Sequence, residues 1–170
     1  MLSKKVFKSG YEVSKNNVLA GKENNDCFVR ACANAFDISY NTAHNWVGEV
    51  FDRKKGKGTK GVRPKMKTIN SVMFPVEGQL DLFSKNNDKK FKIKHIGDMP
   101  KLGGKLKNRK YTHKAVAYTV KEFIQKFKKG TYLLLVNKHA LTVKNGVMID
   151  NNDMQFGGYR RVVETAFQVK

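Results

Sequence analysis

Cysteine and long apolar runs are scarce in this chain. Two cysteines among 170 residues do not make a disulfide framework, so a reducing setting is expected. No apolar run approaches the length of a membrane span, and the first residues contain no apolar block of signal-peptide length. The sequence therefore predicts a cytoplasmic protein without a membrane span or an export signal.

Acidic side chains are also scarce. The chain has 34 Lys and Arg residues against 14 Asp and Glu residues, which gives a net charge of +20. Such a charge attracts polyanions, such as nucleic acid, acidic protein surfaces or anionic lipid. Most of the cations are Lys, which favours non-specific attraction over the reading of bases. The alternative interpretation is a chain that carries many well-solvated surface lysines.

The sequence lacks the spacing of metal ligands and of phosphate-binding loops. Cys27 and Cys32 are five positions apart, and the four His residues lie at unrelated positions, so no cluster has the spacing of zinc ligands. The glycines of the most basic segment lack the strand–loop–helix context of a phosphate-binding loop. We therefore predict no metal site and no cofactor.

The first half of the chain carries helix patterns. Apolar residues recur at helical spacing after Cys27, and Asn25 or Asp26 is placed to cap this helix by accepting its free N–H groups. Ser39 is placed to cap a second helix over residues 40–52. The two helices predict an α-hairpin beside a sheet. Before them lies a polar arm, with one short strand predicted over residues 11–13.

Residues 53–67 form the most basic segment, with eight basic residues, three glycines and a proline. This composition predicts an exposed loop rather than a buried element. We interpret it as a solvated loop, as a flap over a substrate groove or as a contact for a polyanion. The candidate nucleic-acid-binding residues in it are Arg53, Lys54, Lys55, Lys57, Lys60 and Arg63. A short helix is predicted after it, over residues 68–76.

The second half carries the pattern of a sheet. Thr119 and Glu122 match a capping box, and the helix that they start leads through Gly130, a natural C-cap glycine, into the apolar strand of residues 131–136. That strand is too apolar for a surface position and is predicted to be central. Further strands are predicted over residues 91–96 and 160–169.

The dipeptide Asn145-Gly146 predicts the register of the last hairpin. A two-residue turn needs positive φ at both positions, which Asn and Gly adopt readily. With this turn, Asn152 lies opposite His139, and Asp150 becomes the diagonal neighbour of His139 on the same face. An imidazole beside a carboxylate is a candidate catalytic base with its orienting group.

Cys27 is the candidate nucleophile for this base. At the start of a helix, the free N–H groups and the macrodipole favour an anion, which lowers the pKa of a thiol. Cys32 falls on the apolar stripe of the same helix and is interpreted as a core residue. A thiol at a helix start, with a distant His beside a carboxylate, is the pattern of an activated nucleophile.

Two blocks of sequence resemble those of a known family. Asn-Asp-Cys-Phe-Val-Arg-Ala at residues 25–31 is similar to the start of a catalytic helix. Residues 120–150 contain a helix, then Gly-Thr-Tyr-Leu, then His-Ala-x-x-Val-x-x-Gly-Val-x-x-Asp, and the loop of residues 53–59 is similar as well. The chain thus resembles the papain-like cysteine peptidases, especially the small bacteriophage forms related to bacteriocin-processing peptidases.

The resemblance implies a fold and a set of roles. The fold is α+β: in one papain-like domain over residues 1–170, an N-terminal helical part packs its catalytic Cys helix on a C-terminal antiparallel β-sheet. Cys27 would attack a carbonyl as thiolate, and His139 would pass the proton to the leaving amine. Asp150, with Asn152 as the alternative, would orient the imidazole. The implied substrate is a protein or peptide.

One part of the family pattern is replaced in this chain. Papain-like enzymes use a Gln side chain shortly before the Cys to help bind the oxyanion, but Gly21 stands at that position here. Asn24 or Asn25, together with the backbone N–H of Cys27, is the expected substitute.

The alternative function is that of a basic binding protein with the same fold, because a fold does not fix an activity. Such a protein would bind nucleic acid or an acidic surface through residues 53–67, or be packaged in a virion. Both functions suit a phage-encoded protein in the cytoplasm of its host.

Overall fold

The computed structural model describes residues 7–75, 88–98, 118–150 and 158–170. Within these residues the chain forms four α-helices and seven β-strands, an α+β arrangement as predicted. In chain order they are β1 (Phe7–Ser9), α1 (Cys27–Phe36), α2 (Tyr40–Phe51), α3 (Val62–Thr68), β2 (Ser71–Pro75), β3 (Asp88–Asp98), α4 (Val120–Lys126), β4 (Thr131–Val136), β5 (His139–Lys144), β6 (Val147–Asp150) and β7 (Val163–Val169). Single 3₁₀ turns lie at Glu12–Ser14, Ala20–Lys22 and Gly158–Arg160.

The strands form a mixed sheet in the order β1-β6-β5-β4-β7-β3-β2. β1 runs parallel to β6, and the other neighbouring pairs are antiparallel. The sheet was predicted to be antiparallel and C-terminal, but it is mixed and includes β1 and β2 from the N-terminal half of the chain. The backbone N–H and C=O groups at the edge of β6 need hydrogen-bond partners. The N-terminal arm supplies them, and Gly10 N–H donates to Asp150 O at 2.5 Å.

The central strand β4 has a helix layer on each face. Leu133 and Leu135 belong to the core under α1 and α2, whereas Leu134 and Val136 belong to the core under α4. Side chains alternate between faces along a strand, so a strand covered on both faces is apolar throughout. Burial of one such Leu side chain contributes about 1.5–3 kcal/mol. The predicted central position of residues 131–136 is confirmed.

Local capping signals predicted two helix starts correctly. Ser39 Oγ accepts the N–H of Thr42 at 3.1 Å and caps α2. Thr119 and Glu122 form the reciprocal bonds of a capping box at the start of α4. Gly130 is not the C-cap of α4, since Phe127 holds that position. Gly130 has a φ of 99° and donates its N–H to Asn145 Oδ1 at 3.0 Å, so it serves the hairpin turn instead.

The cap predicted for α1 is wrong in its chemistry. Asp26 occupies the N-cap position, but its side chain makes no capping hydrogen bond. Its carboxylate instead accepts from Arg30 Nε at 3.0 Å and from the Tyr40 hydroxyl at 2.6 Å. A charged, bidentate partner and a phenol outcompete the backbone N–H groups. The N–H groups of the first helical turn are thus left to other acceptors.

The basic segment is not a loop throughout. Helix α3 lies within it, with Met66 buried in the core and Val62 packed against it. These two residues are four apart and share one helix face, while Lys65 between them is exposed. The helix predicted over residues 68–76 is also wrong. Val72 and Phe74 are buried in alternation with exposed neighbours, which is the period of a strand.

The N-terminal arm differs from the prediction as well. Its strand is β1, and the predicted strand of residues 11–13 coincides with the 3₁₀ turn instead. Among the described residues, no helix combines the length and the apolar character needed to cross a bilayer. The predicted support residue Asn152 lies outside the described residues.

Candidate active site

Cys27, His139 and Asp150 meet where α1 begins, β5 begins and β6 ends. His139 Nε2 lies 2.7 Å from Asp150 Oδ1. The Cys27 side chain lies at the same cavity as this imidazole, and the interaction between them lowers the pKa of the thiol. Because Nε2 is bonded to the carboxylate, Nδ1 is the ring nitrogen that remains for the thiol. The three side chains thus lie together, with the imidazole between the thiol and the carboxylate.

The hairpin turn sets the imidazole against the carboxylate. Asn145 and Gly146 have φ values of 50° and 77°, as a two-residue turn of this type requires. Lys144 pairs with Val147 next to the turn, and Thr142 pairs with Ile149 two positions further along each strand. The predicted register is therefore confirmed. In that register the acid is the diagonal neighbour of the base, and the hydrogen bond between their side chains follows.

The helix that carries Cys27 is fixed to the strand that carries His139 by a buried hydrogen bond. Thr142 Oγ1 donates to Ala31 O at 2.7 Å, and the two residues are 111 positions apart. Thr142 is fully buried on the face of β5 that packs against α1. This bond joins α1, which begins at Cys27, to β5, which begins at His139.

Opposing effects set the pKa of the Cys27 thiol. Burial raises it, but the hydrogen bond with His139, the charge of the imidazolium, and the backbone N–H groups of Ala140 and Phe28 outweigh burial, so the pKa falls below its ordinary value. Cys32 provides the contrast within the same helix. It is fully buried, as predicted for a core residue, and burial raises the pKa of its thiol well above the ordinary range.

The pKa of the His139 imidazole is shifted in the opposite direction, upward. Burial alone would lower its pKa, but the hydrogen bond to Asp150, the hydrogen bond to Cys27 and the two negative charges raise the pKa to about 9. A lowered thiol pKa beside a raised imidazole pKa favours the thiolate–imidazolium pair. This is the charge state that a cysteine nucleophile requires.

A cavity of about 620 Å³ opens onto this site. Its lining combines aromatic, basic and acidic side chains, among them Tyr11, Phe28, Thr59, Arg63, Lys138 and Glu164. The sequence alone did not indicate most of these residues as part of a site. A β-bulge places Glu164 there: the register between β4 and β7 shifts between Leu135 and Val136, and Glu164 falls in the shift.

Asn24 and Asn25, the two candidate side-chain donors to an oxyanion, differ in their position relative to the cavity. Asn25 lines the cavity, has a φ of 55°, and its Nδ2 donates to Gly56 O at 3.4 Å. Asn24 is exposed, and its carbonyl oxygen accepts from Arg53 Nη2 at 3.1 Å. Of the two, only Asn25 lines the cavity that holds Cys27.

A buried ionic cluster lies just before the nucleophile. The Glu23 carboxylate accepts from Arg53 Nη2 at 2.9 Å and from the Gly56 N–H at 3.1 Å, and it lies 3.2 Å from His44 Nε2. Burial raises the pKa of Glu23, but these donors outweigh it and lower the pKa. The cluster ties the start of the basic segment to the residues that precede Cys27.

This cluster corrects the prediction for Arg53. Its side chain is only 1% exposed and is paired with Glu23, so it is not available to nucleic acid. Arg63, another predicted contact, is half-buried and lines the cavity. The remaining predicted contacts are exposed: Lys54, Lys55, Lys57 and Lys60. The sequence gave no signal for the pairing, because Glu23 and Arg53 are 30 positions apart.

A second buried cluster lies behind the start of α1. Arg30 bonds to Asp26 and to the Ser14 hydroxyl, and its guanidinium lies 4.2 Å from the centre of the Tyr11 ring. Burial, followed by the hydrogen bond to Asp26, raises the pKa of Tyr40. The Asp and Arg of the first sequence block thus stabilise the helix start and support Tyr11 at the cavity.

Within the part of the chain that the structure describes, no group of three His, Cys, Asp or Glu side chains could hold a metal ion. Comparisons with protein-family models, with curated proteins and with solved structures each return no match for this chain.

Proposed function

We propose that this protein is a cysteine peptidase, or a related hydrolase of amide or isopeptide bonds, with a papain-like arrangement of helix and sheet. One observation carries the proposal: at a cavity of about 620 Å³, the thiol of Cys27 lies beside the imidazole of His139, whose Nε2 lies 2.7 Å from Asp150 Oδ1. A nucleophile bonded to a base, which is itself oriented by an acid, is the arrangement of covalent catalysis.

In the proposed reaction the Cys27 thiolate attacks the carbonyl carbon of a bound amide, and the C=O electron pair moves onto oxygen. His139, as imidazolium, then donates its proton to the leaving amine while the C–N bond breaks, which leaves an acyl-thioester on Cys27. Water attacks the thioester with His139 as base, and the acid product and the free thiol are released. Asp150 keeps the ring oriented throughout by holding Nε2.

The tetrahedral oxyanion needs hydrogen-bond donors near the sulfur. The N–H groups at the start of α1 are available because Asp26 does not cap them. Asn25 lines the same cavity and is the proposed second donor. It would take the role that Gln has in the papain-like pattern. Removal of one such donor typically costs about 100- to 1,000-fold in turnover.

Alkylation of the two cysteines tests the proposal, because Cys32 is a built-in control. Iodoacetamide should modify wild-type Cys27 selectively near neutral pH, since its thiol pKa is lowered while that of Cys32 is raised. The His139→Ala variant should label Cys27 more slowly, because it loses the imidazole that lowers the pKa of the thiol. A peptide epoxide should label Cys27 and not a Cys27→Ala variant.

Equal, slow labelling of Cys27 and Cys32 in wild type would overturn the proposal. So would Cys27 labelling that is unchanged in His139→Ala. A Cys32→Ala variant should label as wild type does, which excludes a general effect of cysteine removal.

A second function, binding of a polyanion, is favoured by one observation: the net charge of +20 with four exposed lysines in the basic segment. Binding of this kind should weaken steeply as salt is added. The proposed settings, a host cytoplasm or a virion, suit either function.

A further inference from the structure

A second cavity adjoins the catalytic one. Its volume is about 430 Å³, and it is lined by Phe51, Asp52, Lys54, Lys57, Gly58 and Lys60. We call it the lysine pocket. Gly58 also lines the cavity that holds Cys27. The two cavities therefore meet at Gly58, which has no side chain to separate them.

The charges in the lysine pocket are unbalanced. Three lysines line it together with one acidic residue, Asp52. Within the described part of the chain, none of these three lysines takes part in an ion pair. Lys54, Lys57 and Lys60 are all exposed, so their charges are accessible to a ligand. The pocket thus attracts anionic groups.

The backbone that carries these lysines is held in place. Glu23 binds the side chain of Arg53 and the N–H of Gly56, on either side of Lys54, and Lys57 N–H donates to Lys54 O at 3.0 Å. These bonds fix the backbone of the segment before a ligand arrives. Preorganisation of this kind lowers the entropic cost of binding.

We propose that the lysine pocket binds an acidic stretch of the polypeptide whose amide bond lies at Cys27; this inference rests on the proposed peptidase function. The meeting of the two cavities at Gly58 lets one extended chain occupy both. The substrate class is therefore a polypeptide with Asp or Glu side chains on one side of the cleaved bond, each carboxylate meeting a lysine.

The same features argue against nucleic acid as the ligand of this pocket. The cations are lysines, which lack the fork geometry that arginine presents to phosphates and bases. The aromatic residue of the pocket, Phe51, is buried at 6% exposure and offers no face for a base to stack on. A volume of about 430 Å³ suits a few side chains rather than a duplex.

The test compares two triple variants of the full chain. Lys54→Gln/Lys57→Gln/Lys60→Gln removes the pocket charges. Lys121→Gln/Lys128→Gln/Lys129→Gln removes the same charge from exposed positions in or after α4, whose core lies on the other face of the sheet. Each protein digests a complex peptide mixture, cleavage sites are identified by mass spectrometry, and Cys27 labelling by iodoacetamide is measured in parallel.

We expect wild type and the α4 control to cleave beside acidic residues. Acidic side chains should be enriched severalfold on one side of the cleaved bond, and the pocket variant should lose most of that enrichment while Cys27 labels at the wild-type rate. Unchanged cleavage preference in the pocket variant, with Cys27 labelling intact, would overturn the pocket proposal and leave the peptidase proposal standing.

Two other outcomes also overturn it. Absence of selective Cys27 labelling in wild type would overturn the peptidase proposal and this inference together. A fluorescent single-stranded oligonucleotide that binds wild type and the α4 control, but binds the pocket variant at least about tenfold more weakly, would assign the pocket to nucleic acid if cleavage preference is unaffected.

Discussion

His139 Nε2 lies 2.7 Å from Asp150 Oδ1 because of a turn that neither residue belongs to. Asn145 and Gly146 set the register of the hairpin, and the register brings the two side chains to adjacent positions of one sheet face. A slip by one residue would turn Asp150 to the other face. The geometry of the proposed base is therefore determined by backbone conformation at the opposite end of the hairpin.

The first prediction concerns the pKa of His139. Asp150→Asn keeps a hydrogen-bond acceptor but removes the charge, so the pKa should fall from about 9. The imidazolium is present below this pKa, and its loss should therefore begin at lower pH in the variant. An NMR titration of the imidazole signals measures this, with His139→Ala used to assign the resonance. An unchanged midpoint would contradict the role given to Asp150.

The second prediction concerns Gly10, which packs against the backbone of Asp150. A Cβ at this position would lie 3.1 Å from both C and O of Asp150, which are backbone atoms that yield little. Gly10→Ala should lower the free energy of unfolding by about 1–3 kcal/mol. It should also reduce selective labelling of Cys27, because a displaced Asp150 no longer orients His139.

Gly21→Ala is the matched control for Gly10→Ala. Gly21 is exposed, and a Cβ there meets no atom within 4 Å. Its free energy of unfolding should stay within about 0.5 kcal/mol of wild type. Chemical denaturation of both variants gives the comparison, and equal effects at the two positions would refute the close contact with Asp150.

The third prediction concerns Thr142. Thr142→Val preserves the shape of the side chain but removes its hydrogen bond to the Ala31 carbonyl, at a cost of about 0.5–1.5 kcal/mol. Because the bond joins the helix of Cys27 to the strand of His139, the pKa of the Cys27 thiol should rise toward its ordinary value. The pH dependence of iodoacetamide labelling measures that pKa.

Thr142→Ser retains the hydroxyl and should restore the lowered pKa, even if the lost methyl group reduces stability. A Thr142→Val protein with the wild-type thiol pKa would show that packing alone positions α1.

The fourth prediction concerns the buried pair of Glu23 and Arg53. Glu23→Gln leaves the guanidinium without its charge partner and should cost roughly 3–5 kcal/mol of stability. The double variant Glu23→Gln/Arg53→Met should cost less, because it removes both charges. Thermal and chemical unfolding of the single and double variants measures the difference; a double variant less stable than Glu23→Gln would contradict the argument.

The same pair predicts a dependence on pH. The pKa of Glu23 is lowered in the folded protein, so its contribution is complete above the unfolded value of 4.5 and is lost as pH falls through the folded pKa. Wild type should therefore lose its stability advantage over Glu23→Gln on acidification. An advantage that persists below the folded pKa would count against a charged Glu23.

Features that depend on a few neighbouring residues could be predicted from the sequence. The capping box at Thr119 and the turn at Asn145-Gly146 each involve groups within four positions, so local chemistry decides them. The hairpin register then placed His139 against Asp150 without any knowledge of the rest of the fold.

Features that depend on competition or on distant partners could not be predicted. The Asp26 carboxylate had a choice between the helix N–H groups and Arg30, four positions away, and its second partner, Tyr40, lies 14 positions away. Arg53 looked like part of an exposed basic segment because its partner lies 30 positions away. The parallel pairing of β1 depends on the edge of β6, more than 130 positions away in the chain. The three residues of β1 carry no pattern that indicates this partner.

The bond between Thr142 and Ala31 also bears on how the chain folds. The hairpin of His139 and Asp150 closes a short loop and can form early, whereas docking of α1 onto it must bring together groups 111 positions apart. Before that docking, the thiol of Cys27 has no imidazole beside it and should react as an ordinary cysteine. Pulse-labelling with iodoacetamide during refolding would therefore time this long-range step, because the thiol should become reactive only when α1 docks onto the hairpin.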